Sequence, residues 1–246
     1  MKPKNSRCKP HLAEYSLTEV GNYKMFGKNL EKDNGRGLLL YINKELNGNE
    51  VQMESNFEEN LFVQIKLNNN DKLLIGIIYR SPSERSIEHN SKLRELLVEA
   101  SNKGFTHILI IGDFNYPEID WENYNSRGDK TEYKFVDTVQ DCFLFQHINK
   151  PTRWKGTQKP NILDLILTNE EQMVNNIEYS SPLGKSDHCM LSFDFNCYIK
   201  IYISQRNIRL HNRGRFQEFR ESLDKMEWES LLSDTNDIDQ NWNKFN

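Results

Sequence analysis

The sequence predicts a mixed α/β layered domain, and three observations support this fold class. Short apolar runs that are typical of buried strands outnumber the helical patterns. Two of these runs are joined by the tight polar turn Asn68–Asp71, as in an antiparallel hairpin. A helical pattern then leads from this hairpin to another strand. Hairpins and helical crossovers in one segment favour packed layers of sheet and helix.

The ordered elements are expected from Gly35 onward. Apolar runs predict buried strands at 38–42, 61–67, 73–79, 106–111, 162–167 and 190–195. Ser86 to Lys103 has leucines and an alanine at helical spacing and stops before Gly104, so a helix is predicted there. A second helical face combines four apolar residues, Phe135, Val136, Val139 and Phe143.

The chain is predicted to have three parts. Residues 1–34 are polar with scattered apolar residues, and we expect a poorly ordered loop. Residues 35–198 form the α/β domain. Residues 199–246 are expected to be a linker with an amphipathic helix, whose apolar positions are Phe216, Phe219, Leu223, Met226 and Leu231.

Composition limits the class of protein. No apolar run approaches the roughly 20 residues that span a bilayer, so a membrane protein is not expected. The four cysteines lack CxxC spacing, which favours reduced thiols in the nucleus or cytoplasm.

The net charge is −4, but 150–159 has no acidic residue and 200–220 has six basic residues against one acid. This uneven charge makes DNA the expected partner. Oligomeric state stays open.

Carboxylates occur at strand ends, where α/β sites form. Asp113 and Asn115 follow the apolar run that ends at Gly112, although a simple polar turn is the alternative. Asp164 lies inside an apolar run, so it is either paired or on an exposed strand face. Asp187 and His188 precede the last predicted strand, and an exposed turn is the alternative there.

This set of residues suits phosphodiester hydrolysis. A carboxylate such as Asp113 can take a proton from water, and aspartates can bind a hard divalent cation. A protonated His188 can stabilise charge on phosphate oxygens when a carboxylate such as Asp164 orients it. Tyr79 and Arg80 end another predicted strand and could contact phosphate oxygens. Strand termination at Pro82 is the other interpretation.

Three motifs in this order resemble the endonuclease/exonuclease/phosphatase (DNase-I-like) superfamily: GDFN at 112–115, LDLILTN at 163–169 and SDH at 186–188. The segments GRGLLLYI, LLIGIIYRSPS, FQHINKPTRW and ILDLILTN are similar, more narrowly, to the endonuclease domain of non-LTR retrotransposon polyproteins. The resemblance extends from about Gly35 to Phe195. It implies a four-layered α/β/β/α sandwich and a Mg²⁺- or Mn²⁺-dependent endonuclease that nicks target DNA to prime reverse transcription.

The resemblance also implies residue roles. Asp113 would activate the water or handle its proton, and Asn115 would orient the phosphate. His188 would bind the scissile phosphate with support from Asp164, and Asp187 would help with the metal. The implied substrate contacts are Tyr79, Arg80, Thr152 and Arg153. The tail resembles the connector that precedes a reverse transcriptase.

The sequence departs from the family at its start. Members begin with one strand that ends in a catalytic Asn and another that ends in a metal-binding Glu, and neither strand is identified here. Glu19 resembles the Glu motif, but no apolar run leads into it, so it is predicted to be a loop residue. We therefore expect a fragment, cut at both ends, with weakened metal binding. The alternatives are an inactive remnant that at most binds DNA, and, less favoured, a phosphomonoesterase or lipid phosphodiesterase.

Overall fold

A computed structural model describes residues 19–30, 37–126, 130–154, 156, 159–197 and 216–228. The chain divides into two compact units, Met1–Tyr202 and Ile203–Asn246. The strands are β1 Glu19–Val20, β2 Tyr23–Asn29, β3 Gly37–Asn43, β4 Asn49–Val51, β5 Asn60–Lys66, β6 Lys72–Tyr79, β7 His107–Asp113, β8 Ile119–Asp120, β9 Asn125–Ser126, β10 Phe145–Gln146, β11 Asp164–Thr168, β12 Val174–Ser180 and β13 Met190–Phe195. The α-helices are α1 Ile87–Asn102, α2 Lys130–Asp141 and α3 Phe216–Asp224.

A six-stranded sheet in the order β10-β11-β7-β6-β5-β4 is the centre of the first unit. β6 and β7 are parallel, and every other neighbouring pair in this sheet is antiparallel. Helix α1 makes the crossover that two neighbouring parallel strands require. The predicted hairpin of β5 and β6 and the predicted helix from Ser86 are confirmed. The Ser86 hydroxyl caps α1 by accepting a hydrogen bond from the His89 N–H.

Alternate side chains of the central sheet enter two different apolar clusters. On β6, Leu74 and Ile78 pack with buried residues of α1 and α2. Leu73 and its alternate neighbours face the opposite way, toward residues of β2, β3, β12 and β13. A helical layer therefore covers one face, and two small sheets, β1-β2-β3 and β12-β13, cover the other. The mixed α/β fold class is confirmed, and the described residues contain three of the expected layers.

The prediction that residues 1–34 form a loop is wrong for Tyr23–Asn29. This segment is a strand that pairs along its whole length with β3, from Tyr23 opposite Asn43 to Asn29 opposite Gly37. Phe26 is buried in the core. The backbone at Glu19 also belongs to a strand, because it pairs with Lys24, so its assignment to a loop was wrong. Lysines and a glycine interrupt the apolar pattern, and pairing with β3 overrides that weak local signal.

Two other elements differ from the predictions. Phe143 was expected on the buried face of the second helix, but α2 ends at Asp141 and Phe143 is 81% exposed. Its positive φ of 53° belongs to the turn that ends the helix. β13 was expected to be buried on both faces, whereas Met190 and its alternate neighbours are exposed. The reason is that β13 belongs to an outer two-stranded sheet with one face on the core.

In the second unit, α3 contains Phe219 and Leu223 of the expected amphipathic helix and ends before Met226. Leu231 and most of the basic 200–220 stretch lie outside the described residues. Among the helices in the described ranges, none is long and apolar enough to cross a membrane.

Replacement of Gly112 by alanine should strongly destabilise the first unit. Gly112 has φ 152°, and a Cβ there would lie 1.8 Å from the Ile78 carbonyl oxygen on the adjacent strand. We expect Gly112→Ala to lower the free energy of unfolding by about 3 kcal/mol or more, measured by chemical denaturation. Gly104→Ala is the matched control, because Gly104 also has a positive φ but no atom within 4 Å of the added Cβ. A loss as small as the control's, about 1 kcal/mol, would contradict the close approach of β7 to β6.

Candidate active site

The candidate site lies at one edge of the central sheet. In the β6–β7 pair Tyr79 is opposite Asp113, and in the β7–β11 pair Asp164 is opposite Asp113. These three residues from three adjacent strands are therefore neighbours at the same edge. Asp164 was expected inside a buried strand, but it is the first residue of β11. Its place at the sheet edge explains how an ionised group is tolerated after the apolar residue Leu163.

His188 reaches this edge from the loop before β13. Its Nδ1 lies 2.8 Å from Asp164 Oδ2, and one ligand atom each from Asp113, Asp164 and His188 lies within 4.8 Å of the others. The loop is fixed by backbone contacts, because the Cys189 N–H donates to the Thr152 carbonyl at 2.8 Å. The structure thus brings together Asp113, which was expected to activate water, His188, and Asp164, which was expected to orient the histidine.

The electrostatics of the site come from crowding of carboxylates in a partly buried place. Burial, and secondly the negative charge of Asp164, raises the pKa of Asp113 to about 6. The hydrogen bond to Asp164 raises the pKa of His188 above its ordinary value, which favours the imidazolium form. The Arg153 guanidinium lowers the pKa of Asp187. The site therefore combines a carboxylate that is easily protonated with a histidine that holds its proton.

Asn115 is held beside Asp113 by two hydrogen bonds. Its backbone N–H donates to Asp113 Oδ1 at 3.2 Å, and its Nδ2 donates to the Arg80 carbonyl at 2.9 Å. The residue has φ 51°, a left-handed conformation that asparagine tolerates better than most residues. The GDFN motif therefore forms the polar turn that was the alternative interpretation, and it also places Asp113 in the acidic cluster.

Asp187 and Arg153 form an ion pair next to the cluster. Arg153 Nε donates to Asp187 Oδ2 at 2.8 Å, and Asp187 Oδ1 lies 4.0 Å from His188 Nε2. Asp187 is not one of the three residues whose ligand atoms converge. Its role as a metal ligand stays a prediction. The role of Arg153 as a DNA contact also stays a prediction, with part of its guanidinium occupied by Asp187.

Two of the predicted substrate contacts are buried. Thr152 has no exposed surface, and its hydroxyl oxygen accepts hydrogen bonds from the N–H groups of Leu163 and Asp164, both at 3.1 Å. It therefore fixes the start of β11, and its role as a DNA contact stays a prediction. Arg80 is 5% exposed and donates to Asn90 Oδ1 and to the Asn115 carbonyl. Tyr79 is half-buried and packs against the apolar cluster that lies between the central sheet and the two small sheets.

Two buried residues that support the site, Asn90 and Tyr116, were not predicted from the sequence. Asn90 is 1% exposed on α1, and Tyr116 directly follows the GDFN motif and is also buried. One signal was available, because Asn90 lies three residues before Leu93 and so is a polar residue on the apolar face of the predicted helix.

The three clustered residues fit a divalent cation. Two aspartates offer the oxygen ligands that hard cations prefer, and His188 could add a nitrogen ligand only as neutral imidazole. A cation would also relieve the repulsion between Asp113 and Asp164. The donor set is thus chemically suitable for a metal.

Comparison with known proteins agrees with this geometry. The profile of the family described as endonuclease-reverse transcriptase matches residues 73–192, which include Tyr79, Asp113, Asp164 and His188. The resemblance to retrotransposon endonucleases is confirmed. A search of curated proteins found no match.

Two solved structures share the fold. The endonuclease domain of TRAS1, a telomere-specific non-LTR retrotransposon, aligns with TM-score 0.54 and 13% identity over 72% of this chain and 81% of that one. The catalytic domain of Xenopus laevis APE2 aligns with TM-score 0.50 and 12% identity over 74% and 80%. At these identities the alignments establish the DNase-I-like fold of the endonuclease/exonuclease/phosphatase superfamily.

Asp113→Asn should stabilise the protein at pH 8 and not at pH 4. The pKa of Asp113 is raised from 3.8 to about 6, so its contribution to stability is complete below pH 3.8 and is lost as the pH rises through about 6. Removal of the charge should therefore increase the free energy of unfolding at pH 8 by on the order of 2 kcal/mol. Denaturant titration without divalent cations measures this. The matched control is Asp194→Asn, the same change at an exposed aspartate.

Thr152→Val should destabilise the site without changing its shape much. The valine leaves the buried N–H groups of Leu163 and Asp164 without their acceptor, at a cost of about 2–4 kcal/mol. Thr152→Ser keeps the hydroxyl and should cost about 1 kcal/mol for the lost methyl group. Thermal or denaturant unfolding of the two variants compares them, and equal losses would show that the hydroxyl is unimportant.

Proposed function

We propose that this chain is a metal-dependent DNA endonuclease that hydrolyses a phosphodiester bond, as in the target-site nicking step of a non-LTR retrotransposon. One observation carries the proposal: the Asp164–His188 pair faces Asp113 at the edge of the central sheet, with the three ligand atoms within 4.8 Å of one another. In this arrangement the Asp113 carboxylate can accept a proton from water, and the positively charged His188 imidazolium can bind the phosphate.

Asp113 is the residue proposed to take the proton from the attacking water. Its pKa of about 6 brings its basicity closer to neutral pH than that of an ordinary aspartate, while it is still ionised at pH 7 to 8. Its Oδ1 accepts the Asn115 N–H, which keeps the carboxylate in one orientation. Asn115 Nδ2 donates to the Arg80 carbonyl, and the Asn115 side chain also hydrogen-bonds Asp113, so the amide lies beside the carboxylate where a phosphate would bind.

His188 is the residue proposed to bind the scissile phosphate. Asp164 accepts the Nδ1 proton and so fixes the ring, which leaves Nε2 to donate to a phosphate oxygen. The hydrogen bond to Asp164 raises the pKa of His188 and so favours the imidazolium form, in which this nitrogen carries a proton. A positive charge placed in advance stabilises the additional negative charge of the transition state without reorganisation of solvent.

Asp113 and Asp164 are the proposed ligands of a Mg²⁺ or Mn²⁺ ion, with Asp187 beside them. When bound, such a cation neutralises phosphate charge and lowers the pKa of coordinated water. Two neighbouring carboxylates in a partly buried place are consistent with this role, because burial and the charge of Asp164 raise the pKa of Asp113, and a cation bound between them would offset that repulsion.

DNA is proposed as the substrate because a segment with basic and aromatic residues enters the site at Arg153. Arg153 pairs with Asp187 in the site, Lys150 and Lys159 belong to the same basic segment, and Trp154 is 46% exposed. Lysine and arginine neutralise phosphates, and an exposed indole can stack on a base. A compact phosphomonoester would not need such an extended surface, and a lipid would require an apolar one.

The test is nicking of supercoiled plasmid by the purified chain with Mg²⁺ or Mn²⁺. Asp113→Ala and His188→Ala should each slow nicking by about 10²-fold or more, and EDTA should abolish it. His107→Gln is the matched control, because His107 Nδ1 lies 2.7 Å from Glu170 Oε1 in a second histidine–carboxylate pair at the opposite end of β7. This control should nick like the wild type.

A folded sample that binds DNA in a salt-dependent way but does not nick it would favour the alternative of an inactive remnant. In that case Asp113→Ala should leave DNA binding unchanged. Release of phosphate from small monoesters, without plasmid nicking, would favour a phosphatase.

The nicking rate should depend on pH at both ends of the range. It should rise as the pH increases through the pKa of Asp113, which is about 6 without metal and lower with a bound cation, because Asp113 must lose its proton to act as a base. It should fall again above the raised pKa of His188, because the imidazolium is then lost. Single-turnover rates between pH 5 and 9 measure both limbs, and a rate that is independent of pH would contradict the assignments.

A further inference from the structure

The loop after β7 has a conformation that needs support from its surroundings. Asn115 has φ 51°, and the preceding Gly112 approaches the Ile78 carbonyl too closely for any side chain. A left-handed backbone conformation at a non-glycine residue costs on the order of 1 kcal/mol or more of folding free energy, and it persists only when neighbouring groups hold it in place. The question is which groups fix Asn115.

Arg80 makes a reciprocal contact with Asn115. Its Nη1 donates to the Asn115 carbonyl at 2.9 Å and more weakly to the Phe114 carbonyl at 3.4 Å. Asn115 Nδ2 donates in return to the Arg80 carbonyl at 2.9 Å. The Arg80 N–H also donates to the Asp113 carbonyl at 2.8 Å. Arg80 therefore contacts three consecutive residues: Asp113, Phe114 and Asn115.

Arg80 is in turn held from the side of α1. Its Nε donates to Asn90 Oδ1 at 2.8 Å, and the Tyr116 hydroxyl donates to the same oxygen at 2.6 Å. Asn90 Nδ2 donates to the Ser86 carbonyl at 2.7 Å, which fixes the orientation of its amide. The Tyr116 ring lies against the guanidinium, 4.1 Å from its central carbon.

We infer that Arg80 is a positioning residue: locked by Asn90 and Tyr116, its guanidinium holds the left-handed turn at Asn115 and so directs the Asn115 amide beside Asp113. The inference rests on the proposed function. It replaces the predicted phosphate contact of Arg80 with an indirect role.

The contacts require the shape of an arginine and not only its charge. In the described part of the chain no carboxylate forms an ion pair with Arg80, so its partners are amide and carbonyl oxygens. Nε and Nη1 point in two fixed directions, one toward α1 and the other toward the loop. The single ammonium of a lysine cannot make both contacts at once. Arg80→Lys thus retains the charge and removes the bridge.

The experiment compares Arg80→Lys with the wild type in three measurements on the full chain. Single-turnover nicking should slow by about 10²-fold, as expected for a misplaced catalytic group. The Kd for a DNA duplex should change by less than about threefold, because Arg80 is buried and does not face DNA. The NMR signals of the Asn115 backbone and side-chain amides should shift. Arg85→Lys, at an exposed arginine whose Nε donates to the Pro82 carbonyl, is the matched control and should change none of them.

Equal nicking rates for Arg80→Lys and the wild type, or unmoved Asn115 signals, would overturn the inference. If the wild type does not nick, the proposed function fails, and the Asn115 signals alone decide the positioning role. If Arg80→Lys does not fold, Tyr116→Phe tests the same network, because it removes one hydrogen bond to Asn90 and keeps the ring. That variant should nick about 10-fold more slowly with shifted Asn115 signals. An unchanged rate with unchanged signals would then overturn the inference.

Discussion

The pairing of β7 with β6 on one side and β11 on the other determines where every polar group of the candidate site lies. It makes Tyr79, Asp113 and Asp164 neighbours at one edge of the sheet. A slip of one residue would move Asp113 to the opposite face and place apolar side chains at the edge. Two apolar clusters, one on each face, oppose such a slip. The register of the site is thus set by the core of the whole unit.

This register places two carboxylates close together in a partly buried position, and the surrounding groups compensate for their repulsion. His188 contributes a positive charge next to Asp164, and Arg153 neutralises Asp187. The charge of His188 also lowers the pKa of Asp113, but burial and the charge of Asp164 outweigh it and keep that pKa raised. The site is therefore less stable with Asp113 ionised than with it protonated. Functional sites often keep an ionised group even though its charge lowers the stability of the fold. The perturbed pKa of Asp113 therefore makes this cluster a better candidate for a functional site than an ordinary surface turn is.

Much of this organisation was predictable from the sequence, because β5, β6, β7 and α1 have strong local signals. Their apolar runs, the polar hairpin turn and the Ser86 cap agree with the observed elements. β2 was not predictable in the same way, since Lys24, Gly27 and Lys28 interrupt its pattern and its order comes from β3. The acidic cluster was predictable because its members end or begin strong strands. The ion pair of Arg153 with Asp187 joins distant segments, and no periodicity indicates it.

Arg80 and Thr152, both expected to contact the substrate, share the physical feature of burial. Both residue types bind phosphate well on a surface, and both stand beside the chemistry in sequence, but their burial decides what they do. A buried arginine or threonine must use its polar atoms on the protein, so each supports a neighbouring main chain: Asn115 in one case and Asp164 in the other. His188, with its Nε2 left available, can act on a substrate. Residue type and spacing therefore locate the site, whereas burial separates the groups that contact substrate from those that position them.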